Sequence, residues 1–547
     1  MKCLSELQKN RKKDVPELPA ILDKLHKLYP DPVKRKKHKI DSALDDLFPF
    51  SSHEPDAIVF IEKEERAHAA LRVGVLFSGG PAAGGHNVIS GIFDSLKKIN
   101  PESSLIGFLN GPQGLIDNKK LEISENLLAD FRNQGGFDLL GSGRKKIDTL
   151  EQFAAAEKTI RANFLDGLII IGGDDSNTNA ALLAEYLVKN GCKTSVIGVP
   201  KTIDGDLKNE DIELSFGFDS ATKTYSQTIG NLARDALSSR KPYFFIKLMG
   251  RSASHIVVEC ALQTHPNLAF ISEEVAAKKL SLAHIVQEIS DLICERAKQG
   301  KEYGVILIPE GLIEFIPELN LLIKELNQIL AETELHEMSV DEKSSYVKNR
   351  LSQESNRCFS SIPESIQKQL LLERDAHGNV QVSKIETERL LIEMVEKELI
   401  RRKKEKKFQG KFQAQPYFCG YEGRSCFPSK FDAQYGYALG YTATLLVDAK
   451  LTGYICAIQK LSEPVKEWQV GGRNLRTMMI MEKRHGKDKP VISKALVDLK
   501  GKAFKCFADQ REAWKLADDY IYPGPMQFYG SQTLTELVPQ ILALENQ

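Results

Sequence analysis

Five short apolar segments, each followed at once by glycine and charged residues, place the strongest constraint on how this chain folds. They occupy residues 71–77, 164–171, 196–200, 244–248 and 304–308. The residues that follow them read SGG, GGDD, KTIDGD, MGR and PEG, in that order. Helical patterns lie between these segments, for example over 177–189 and 281–298. The alternation predicts an α/β fold with two doubly wound, mainly parallel sheets, and such sheets bind ligands at the carboxyl ends of their strands.

The length of 547 residues is too great for one hydrophobic core and predicts several domain-sized units. We expect a polar N-terminal arm over 1–70, a first α/β domain over 71–235 and a second over 236–425. The segment 426–547 is expected to return and complete both domains. Within the second domain, the charged, glycine-poor stretch 330–410 predicts a helical insertion that packs against the surface or a partner subunit.

Charge balance and cysteine content restrict the expected partners and compartment. Lysine plus arginine equals aspartate plus glutamate at 74 each, so neither nucleic acid nor a membrane surface is an expected partner. The basic run at 33–39 allows a nucleic-acid or targeting patch, but we favour a solvated face of the arm. We find no apolar run long enough to cross a bilayer and no secretory signal at the start of the chain. The nine cysteines form no CxxC pair, which indicates reduced thiols in a cytoplasmic protein.

The loop after the first strand, SGGPAAGGHN at 78–87, has the composition of a phosphate-binding loop. Its four glycines allow the backbone to approach a ligand closely and to direct N–H groups toward it. A helix that begins just after the loop would add its positive N-terminal dipole. The alternative is a glycine-rich turn that serves packing, and the residues alone do not decide between the two. A GxxxxGK[ST] run is absent, so this loop is not a P-loop nucleotide site.

Two acidic clusters follow the second and third strands. GGDDS at 172–176 offers carboxylates for Mg²⁺, although aspartate and serine also cap helices. We expect both functions, with aspartate on the metal and serine or asparagine at the cap. KTIDGD at 201–206 combines a cation, a hydroxyl and two carboxylates, which phosphoryl transfer needs for charge neutralisation and proton removal. A polar turn rich in aspartate and glycine is the alternative for this second cluster.

The motifs GGDDS, PKTIDGDL, MGR, PEG and GYEGR occur in the order in which the phosphofructokinase family carries them. The chain resembles this family, and within it the long pyrophosphate-dependent branch, over about 71–325 and 415–440. The resemblance implies phosphoryl transfer from pyrophosphate to the 1-hydroxyl of fructose 6-phosphate, with Mg²⁺ as cofactor. It also implies at least two subunits, and we expect a homodimer with active sites shared across the interface. The alternatives are an ATP-dependent phosphofructokinase and a non-catalytic regulatory subunit.

The resemblance also implies a role for each residue of these motifs. Asp204 would remove the proton from the sugar 1-hydroxyl, with Thr202 holding that part of the substrate. Asp174 would bind Mg²⁺, and Asp206 would support this metal site. The pyrophosphate contacts would be Gly80 and Arg144. The sugar-phosphate contacts would be Met249, Gly250, Arg251, Glu310, Tyr421 and Arg424, together with Lys241 of the neighbouring subunit.

Two residues would select the phosphoryl donor. The resemblance places Asp175 and Lys201 where ATP-using members of the family carry glycine. A carboxylate near the α-phosphate of a nucleotide would repel it, because two like charges about 4 Å apart cost about 4 kcal/mol at an effective dielectric constant of about 20. Pyrophosphate stops short of that position, and Lys201 would supply positive charge at the transfer site. The chain departs from the family at Ala83, where proline is common.

Overall fold

The computed structural model describes residues 5–34, 41–331, 338–372, 380–484, 487–535 and 537–547. The chain divides into two units. The first comprises Met1–Ala221, Tyr421–Ala495 and Met526–Asn546, and the second comprises Thr222–Gly420, Leu496–Pro525 and Gln547. The division after Ala221 comes earlier than the boundary expected at 235. It falls inside a helix, Phe218–Ser239, which begins in the first unit and continues into the second.

Three sheets are present in the described part of the chain. The strands are β1 (Leu28–Pro32), β2 (Ala57–Glu62), β3 (Arg72–Phe77), β4 (Ser104–Phe108), β5 (Lys120–Glu122), β6 (Gly167–Gly172), β7 (Ser195–Pro200), β8 (Tyr243–Leu248), β9 (Leu268–Ala269), β10 (Gly304–Pro309), β11 (Ala414–Cys419), β12 (Tyr454–Gln459), β13 (Gln469–Asn474), β14 (Met479–Arg484) and β15 (Lys487–Ile492). The first unit contains a sheet in the order β1-β2-β13-β12-β7-β6-β3-β4-β5 and the hairpin β14-β15. The second unit contains the sheet β11-β8-β10-β9.

Helices alternate with these strands, as the sequence pattern predicts. Those of the first unit are α1 (Glu6–Lys13), α2 (Ser42–Leu47), α3 (Gly85–Ile99), α4 (Pro112–Ile116), α5 (Glu125–Leu128), α6 (Leu150–Ala162), α7 (Asp174–Lys189), the start of α8 (Phe218–Ser239), α18 (Tyr421–Arg424), α19 (Lys430–Asp448), α21 (Gln532–Thr535) and α22 (Gln540–Glu545). Those of the second unit are the rest of α8, α9 (His255–Thr264), α10 (Ser272–Ala277), α11 (Leu282–Lys298), α12 (Leu312–Phe315), α13 (Pro317–Ile329), α14 (Val340–Lys348), α15 (Gln353–Ser361), α16 (Glu364–Leu372), α17 (Thr387–Lys404) and α20 (Lys502–Leu516).

The middle of the first unit's sheet is parallel. Strands β12, β7, β6, β3 and β4 run in the same direction, whereas the pairings β1-β2, β2-β13, β13-β12 and β4-β5 are antiparallel. Every residue of β6 and β7 is buried. Continuous apolar strands of this kind are typical of parallel sheets that are covered on both faces. The expected α/β class with doubly wound, mainly parallel sheets is confirmed.

The segment expected as an N-terminal arm contributes to this sheet instead. β1 and β2 pair antiparallel, and β2 continues the sheet next to β13. Phe48 and Leu44, which lie between the two strands, are fully buried in the first unit's hydrophobic core. The polar composition of 1–70 hid these strands because β1 reads LYPDP, with prolines and an aspartate. The prolines are tolerated because β1 is an edge strand. Most of the basic run at 33–39 lies outside the described residues.

The second unit has an all-parallel sheet, and the predicted insertion is helical and belongs to its core. α14, α15, α16 and α17 bury apolar residues in one cluster with residues of β8 and β10. Lys247 of β8 lies 3.2 Å from the carboxylate of Glu388 on α17, and both side chains are buried. We expected the insertion to pack against the surface or a partner subunit, and instead its helices bury apolar residues in the core of their own unit. Its apolar positions are needed to cover the sheet of its own unit.

Two further expectations concern membranes and cysteines. Within the described ranges, none of the helices combines the length and apolar character that a membrane span requires. The eight cysteines that the structure describes all have free thiols.

Candidate active site

Three loops at one edge of the first unit's sheet carry most of the predicted site residues. They follow β3, β6 and β7, which are neighbours in the sheet. The register pairs Phe77 with Ile171, and Gly172 with Pro200, so the carboxyl ends of the three strands lie side by side. The apolar strands are buried to their ends, and the polar residues that follow them therefore collect at this edge.

The loop after β3 approaches a charged side chain through its glycines. Gly79 has a φ of 84°, and Gly84, the N-cap of α3, has a φ of 106°, both in the left-handed region. A Cβ atom on Gly80 would lie 2.1 Å from Nη2 of Arg424, so a larger residue would displace the guanidinium. α3 begins at Gly85, inside the stretch 78–87 and so a few residues earlier than the helix expected just after it.

Lys201 is a buried cation at the end of β7. Its Nζ donates to the Gly80 carbonyl oxygen at 2.8 Å. Burial, and then the neighbouring charge of Arg424, lower the pKa of Lys201 to about 8, against the opposing effect of the carboxylates of Asp204, Asp174 and Asp206. The structure thus brings Lys201 to the glycine loop, where a transferring phosphoryl group would need positive charge.

Asp204 and Thr202 lie in the turn after Lys201. The Thr202 hydroxyl accepts a hydrogen bond of 3.1 Å from the backbone N–H of Asp204. Gly205 has a φ of 72°, so the turn between the two aspartates requires a residue that tolerates the left-handed region. Asp206 is buried, whereas Asp204 and Thr202 are half-buried and accessible to a substrate. The predicted roles of Asp204 and Asp206 toward a substrate stay predictions.

The motif GGDDS spans the end of β6 and the start of α7. Asp174 and Asp175 occupy the first turn of the helix, where negative charge is favoured. The expectation that a serine or asparagine side chain caps this helix is wrong, because the N-cap is Gly173 and no side chain makes a cap bond. The Ser176 hydroxyl donates to Ser78 instead, at 2.8 Å. The Asp175 carboxylate is exposed and lies 3.1 Å from Nζ of Lys146.

Lys494 is a member of this cluster that the sequence did not reveal. Its Nζ lies 3.3 Å from the Asp174 carboxylate and 3.8 Å from the Asp206 carboxylate. Burial lowers the pKa of Lys494, but the charges of Asp174, Asp206 and Asp204 outweigh burial and raise it. Lys494 therefore remains an ammonium at neutral pH. It follows β15 as a single lysine in a stretch without a motif, so no signal in the sequence indicated it.

The donor set fits a magnesium ion that arrives with phosphate. Asp174 and Asp206 lie within 4 Å of the same Lys494 nitrogen, which places the two carboxylates near one another. Within the described ranges, we find no group of three or more His, Cys, Asp or Glu side chains that could hold a metal ion. Mg²⁺ commonly uses one or two carboxylates and takes its other ligands from water and substrate phosphates. Two carboxylates are therefore sufficient for such a site, but a cage made only of protein ligands is not present in the described part.

The motif GYEGR places Arg424 at the glycine loop. α18 contains Tyr421 and Arg424, and the Arg424 guanidinium lies 5.3 Å from the ring centroid of Tyr421. Tyr421 is 71% exposed. Arg144 is exposed as well and follows Gly143, which bridges to Ser78 of the glycine loop. Arg424 is thus positioned beside Gly80 and Lys201, whereas the predicted contact of Arg424 with the sugar 6-phosphate stays a prediction.

The loop that follows Arg424 is held by the N-terminal helix. The guanidinium of Arg11 lies 4.7 Å from the ring centroid of Phe427 and 3.9 Å from that of Phe528. It also donates to the carbonyl oxygens of Asn133 and Pro428. Burial lowers the pKa of Arg11 to about 10, which still leaves the group charged at neutral pH. The segment beyond Arg424 is therefore fixed from the N-terminal side of the chain.

A buried acidic pair lies between the starts of α8 and α19. Asp432 accepts hydrogen bonds from the backbone N–H groups of Gly217 and Ser220 and from the Ser220 hydroxyl. The Ser429 hydroxyl donates to Asp219 at 2.5 Å. Burial and the nearby charge of Asp219 raise the pKa of Asp432. These aspartates were not predicted as functional, and the bonds of Asp432 to backbone N–H groups indicate a structural role for it.

The second unit holds the predicted sugar-phosphate contacts of the MGR and PEG motifs. Glu310 is buried and accepts a 2.9 Å hydrogen bond from the backbone N–H of Gly250, whose φ is 124°. A Cβ on Gly311 would lie 2.0 Å from the Arg251 carbonyl oxygen, so the two motifs are packed closely. The Arg251 side chain is half exposed and lies 3.8 Å from the Glu314 carboxylate. The structure therefore brings the two motifs together and leaves the Arg251 guanidinium accessible.

The other two predicted residues of this unit flank β8. Met249 follows the strand, and its backbone N–H donates to the Cys419 carbonyl oxygen at 3.0 Å. Lys241 precedes the strand and is exposed. An exposed position is a requirement for the predicted role of Lys241 in a neighbouring subunit.

Comparison with known proteins agrees with this arrangement. The family model described as phosphofructokinase matches residues 72–447, which is more than half of the chain. The chain belongs to the phosphofructokinase family.

Relatives similar over almost the whole chain carry one activity in their names. A pyrophosphate–fructose 6-phosphate 1-phosphotransferase of Treponema pallidum (strain Nichols) is 53% identical over 478 residues, covering 87% of this chain and 83% of that protein. The enzyme of that name from Entamoeba histolytica is 47% identical and covers 99% of both chains. The enzyme's subunit beta 2 from Arabidopsis thaliana is 50% identical and covers 96% of this chain and 92% of that subunit.

Solved structures support the fold. A pyrophosphate-dependent phosphofructokinase from Marinobacter aquaeolei aligns over 87% of this chain and 97% of that chain, with a TM-score of 0.53 and 16% sequence identity. One from Nitrosospira multiformis aligns over 88% and 98%, with a TM-score of 0.54 and 16% identity. At this level of identity the likeness concerns the fold alone.

Proposed function

We propose that this chain transfers a phosphoryl group reversibly from pyrophosphate to the 1-hydroxyl of fructose 6-phosphate, giving fructose 1,6-bisphosphate and phosphate in glycolysis. The observation that carries this proposal is the set of Lys201, Asp204, Asp206 and Asp174 at the carboxyl ends of adjacent strands in one unit. The printed names of the bacterial, amoebal and plant relatives support the same reaction. The reaction belongs to the phosphotransferases with an alcohol acceptor.

The chain's own residues supply the groups that the reaction needs. Asp204 accepts the proton of the sugar 1-hydroxyl as the hydroxyl oxygen attacks the near phosphorus of pyrophosphate. The bond between that phosphorus and the bridging oxygen breaks, and phosphate leaves with the bridging oxygen. Lys201 and Arg424, which meet at Gly80, offset the negative charge of the transferring group. In the reverse direction, Asp204 returns the proton to the sugar oxygen.

Magnesium is the proposed cofactor. Asp174 would hold the ion, and Asp206 would support it. When bound, Mg²⁺ supplies positive charge that neutralises the phosphate oxygens. The residues Gly80 and Arg144 would contact pyrophosphate from the loops at the same edge of the sheet.

The donor preference for pyrophosphate is proposed to depend on Asp175 and Lys201. The resemblance places glycine at both positions in ATP-using members of the family. Asp175 stands on the first turn of α7, and its pairing with Lys146 at 3.1 Å weakens the repulsion that it exerts on a nucleotide. We therefore expect the exclusion of ATP to be smaller than the unscreened value of about 4 kcal/mol.

An assembly of subunits in the cytoplasm is also part of the proposal. The plant relatives are named as alpha and beta subunits, which supports association of chains of this kind. A homodimer with Lys241 completing the neighbouring 6-phosphate site is the arrangement we propose. The remaining sugar contacts would come from Met249, Gly250, Arg251 and Glu310 with Tyr421 and Arg424. Free thiols in all described cysteines are in keeping with a reducing compartment.

The proposed function is tested by initial rates with fructose 6-phosphate and Mg²⁺, with pyrophosphate in one assay and ATP in the other. We expect turnover with pyrophosphate alone. Turnover with ATP alone would contradict the donor assignment, and the absence of turnover in both assays would favour a regulatory subunit. Asp204→Ala should lower kcat by at least about a hundredfold, the size of a general-base contribution, while fructose 6-phosphate still binds. Asp204→Asn keeps the shape of the side chain and removes only the base, so it should lower kcat as well.

A further inference from the structure

The segment that carries Lys494 is tied to both elements that carry the acidic residues. The backbone N–H of Ile492, the last residue of β15, donates to the Thr178 hydroxyl of α7 at 3.1 Å. The backbone N–H of Ala495 donates to the Asp206 carbonyl oxygen at 2.8 Å. Lys494 lies between these two anchors. The backbone that carries Lys494 is therefore held beside the cluster by bonds on both sides, while the side chain itself can move.

Lys494 faces two carboxylates of unequal accessibility. The Asp206 side chain is 7% exposed and the Asp174 side chain 26%, while Lys494 itself is 36% exposed. Two carboxylates near one another repel, and a buried carboxylate is costly without a cation. Lys494 supplies that cation. Its partial exposure also gives it room to move away from the pair.

We propose that Lys494 is a positioning residue that holds the Asp174 and Asp206 carboxylates together before substrate binds and competes with a free divalent cation for them. This inference rests on the proposed role of Asp174 and Asp206 at the metal site. An ammonium and a metal ion cannot occupy the same carboxylate oxygens. The resting enzyme therefore binds a divalent cation weakly on its own. Pyrophosphate offers oxygens both to the metal ion and to the displaced ammonium, so the metal ion and pyrophosphate enter together.

The first test measures divalent-cation binding without any substrate, so it does not depend on turnover. Mn²⁺ serves as the probe, and its free concentration is followed by electron paramagnetic resonance in titrations of the full-length protein. We expect Lys494→Met to bind Mn²⁺ at least about tenfold more tightly than the wild type, because a positive charge within 4 Å of both carboxylates is removed. Lys489→Met is the matched control. It removes an exposed lysine from the same hairpin and should leave the affinity unchanged.

The double variant Lys494→Met with Asp174→Asn identifies where the metal ion binds. We expect it to lose the gain in Mn²⁺ affinity. A gain that persists without the Asp174 carboxylate would show a different metal site and overturn the proposal. Equal Mn²⁺ affinities of the wild type and Lys494→Met would overturn it as well. Circular dichroism verifies folding of each variant, and Lys494→Gln replaces Lys494→Met if the latter does not fold.

A kinetic measurement separates positioning from a purely structural role. Lys494→Met should raise the KM for pyrophosphate by about tenfold or more, while the KM for fructose 6-phosphate stays within about twofold. Lys494→Arg keeps the charge and should restore weak Mn²⁺ binding. If Lys494→Arg binds Mn²⁺ as tightly as Lys494→Met does, the proposed competition between Lys494 and the metal ion is contradicted. If the enzyme shows no turnover with pyrophosphate at all, the function proposed above fails, while the Mn²⁺ titration still decides the role of Lys494.

Discussion

Lys201 provides a test in which stability and activity change in opposite directions. Its ammonium is buried at the glycine loop, and burial lowers its pKa from 10.5 to about 8. A difference of about 2.5 corresponds to about 3 kcal/mol of folding free energy, at about 1.4 kcal/mol per pKa unit. Lys201→Met removes this cost but also removes the 2.8 Å bond to the Gly80 carbonyl oxygen, which is worth about 1 kcal/mol. We therefore expect Lys201→Met to stabilise the protein by about 2 kcal/mol at pH 7.

The sign of the pH dependence follows from the lowered pKa. Below pH 8 the lysine is charged in both the folded and the unfolded chain, so the folded state bears the whole cost of burying the charge. Between pH 8 and pH 10.5 the folded state loses its proton while the unfolded state keeps it, and the cost shrinks. The advantage of Lys201→Met should thus be greatest below pH 8 and should disappear as the pH approaches 10.5.

The assay compares urea unfolding of the wild type and Lys201→Met at pH 7 and at pH 10, with the kinetics measured in parallel. We expect the wild-type kcat/KM for pyrophosphate to fall above about pH 8, as Lys201 in the free enzyme loses its charge. Lys201→Met should have a much lower kcat/KM and lack this alkaline limb. A variant less stable than the wild type at pH 7, or an alkaline limb that survives in the variant, would refute the reasoning. Lys201→Arg is the control, since it keeps the positive charge at all these pH values.

Three other charged groups, Asp432, Arg11 and Lys247, give further predictions. Because the pKa of Asp432 is raised, the free energy of unfolding should fall as the pH rises from about 4 toward neutrality. Asp219→Asn should reduce that fall by about 1 kcal/mol, measured by urea unfolding at pH 5 and pH 8. An equal fall in the wild type and the variant would contradict the coupling of the two aspartates. Arg11→Ala should cost about 2 kcal/mol through its lost ring and carbonyl contacts, and Arg11→Lys should recover only part of it, as measured by the urea midpoint. Lys247→Met should cost about 3 kcal/mol of stability because it leaves Glu388 buried without its cation. The loss should shrink when Glu388→Gln is added. A double variant as unstable as Lys247→Met alone would contradict a stabilising interaction between Lys247 and Glu388.

The central strands could be predicted from the sequence because burial on both faces leaves a continuous apolar run. β3, β6 and β7 each match such a run to within a few residues, and the glycines and aspartates that follow them mark the site edge. Helix α7 was predicted in the same way from its position between two strands. These features depend on residues close together in the chain, so a local pattern is sufficient to find them.

The missing parts depend on contacts between distant residues. β1 lies in a stretch that was predicted as a polar arm, and its strand is paired with β2 along its whole length. The insertion was predicted to be helical, but its place in the second unit's core depends on apolar contacts with β8 and β10 and on the pair of Lys247 with Glu388, which join residues far apart in the chain. Lys494 is the clearest case. The 2.8 Å bond from Ala495 to Asp206 brings a lysine near the C-terminus to an acidic motif near residue 200.

Lys201 and Lys494, the two lysines of the first unit's site, differ in burial and in the direction of their pKa shifts. Lys201 is buried, and its pKa is lowered, so it is a cation held ready for the phosphoryl group at a cost to stability. Lys494 is partly exposed, and its pKa is raised by the carboxylates that it contacts, so it neutralises them in the resting state. The Lys494 side chain is 36% exposed, which leaves room for it to give way to a metal ion. In the mechanism proposed above, Lys201 acts in phosphoryl transfer and Lys494 in metal entry, and the Lys201→Met and Lys494→Met variants should therefore fail at different steps.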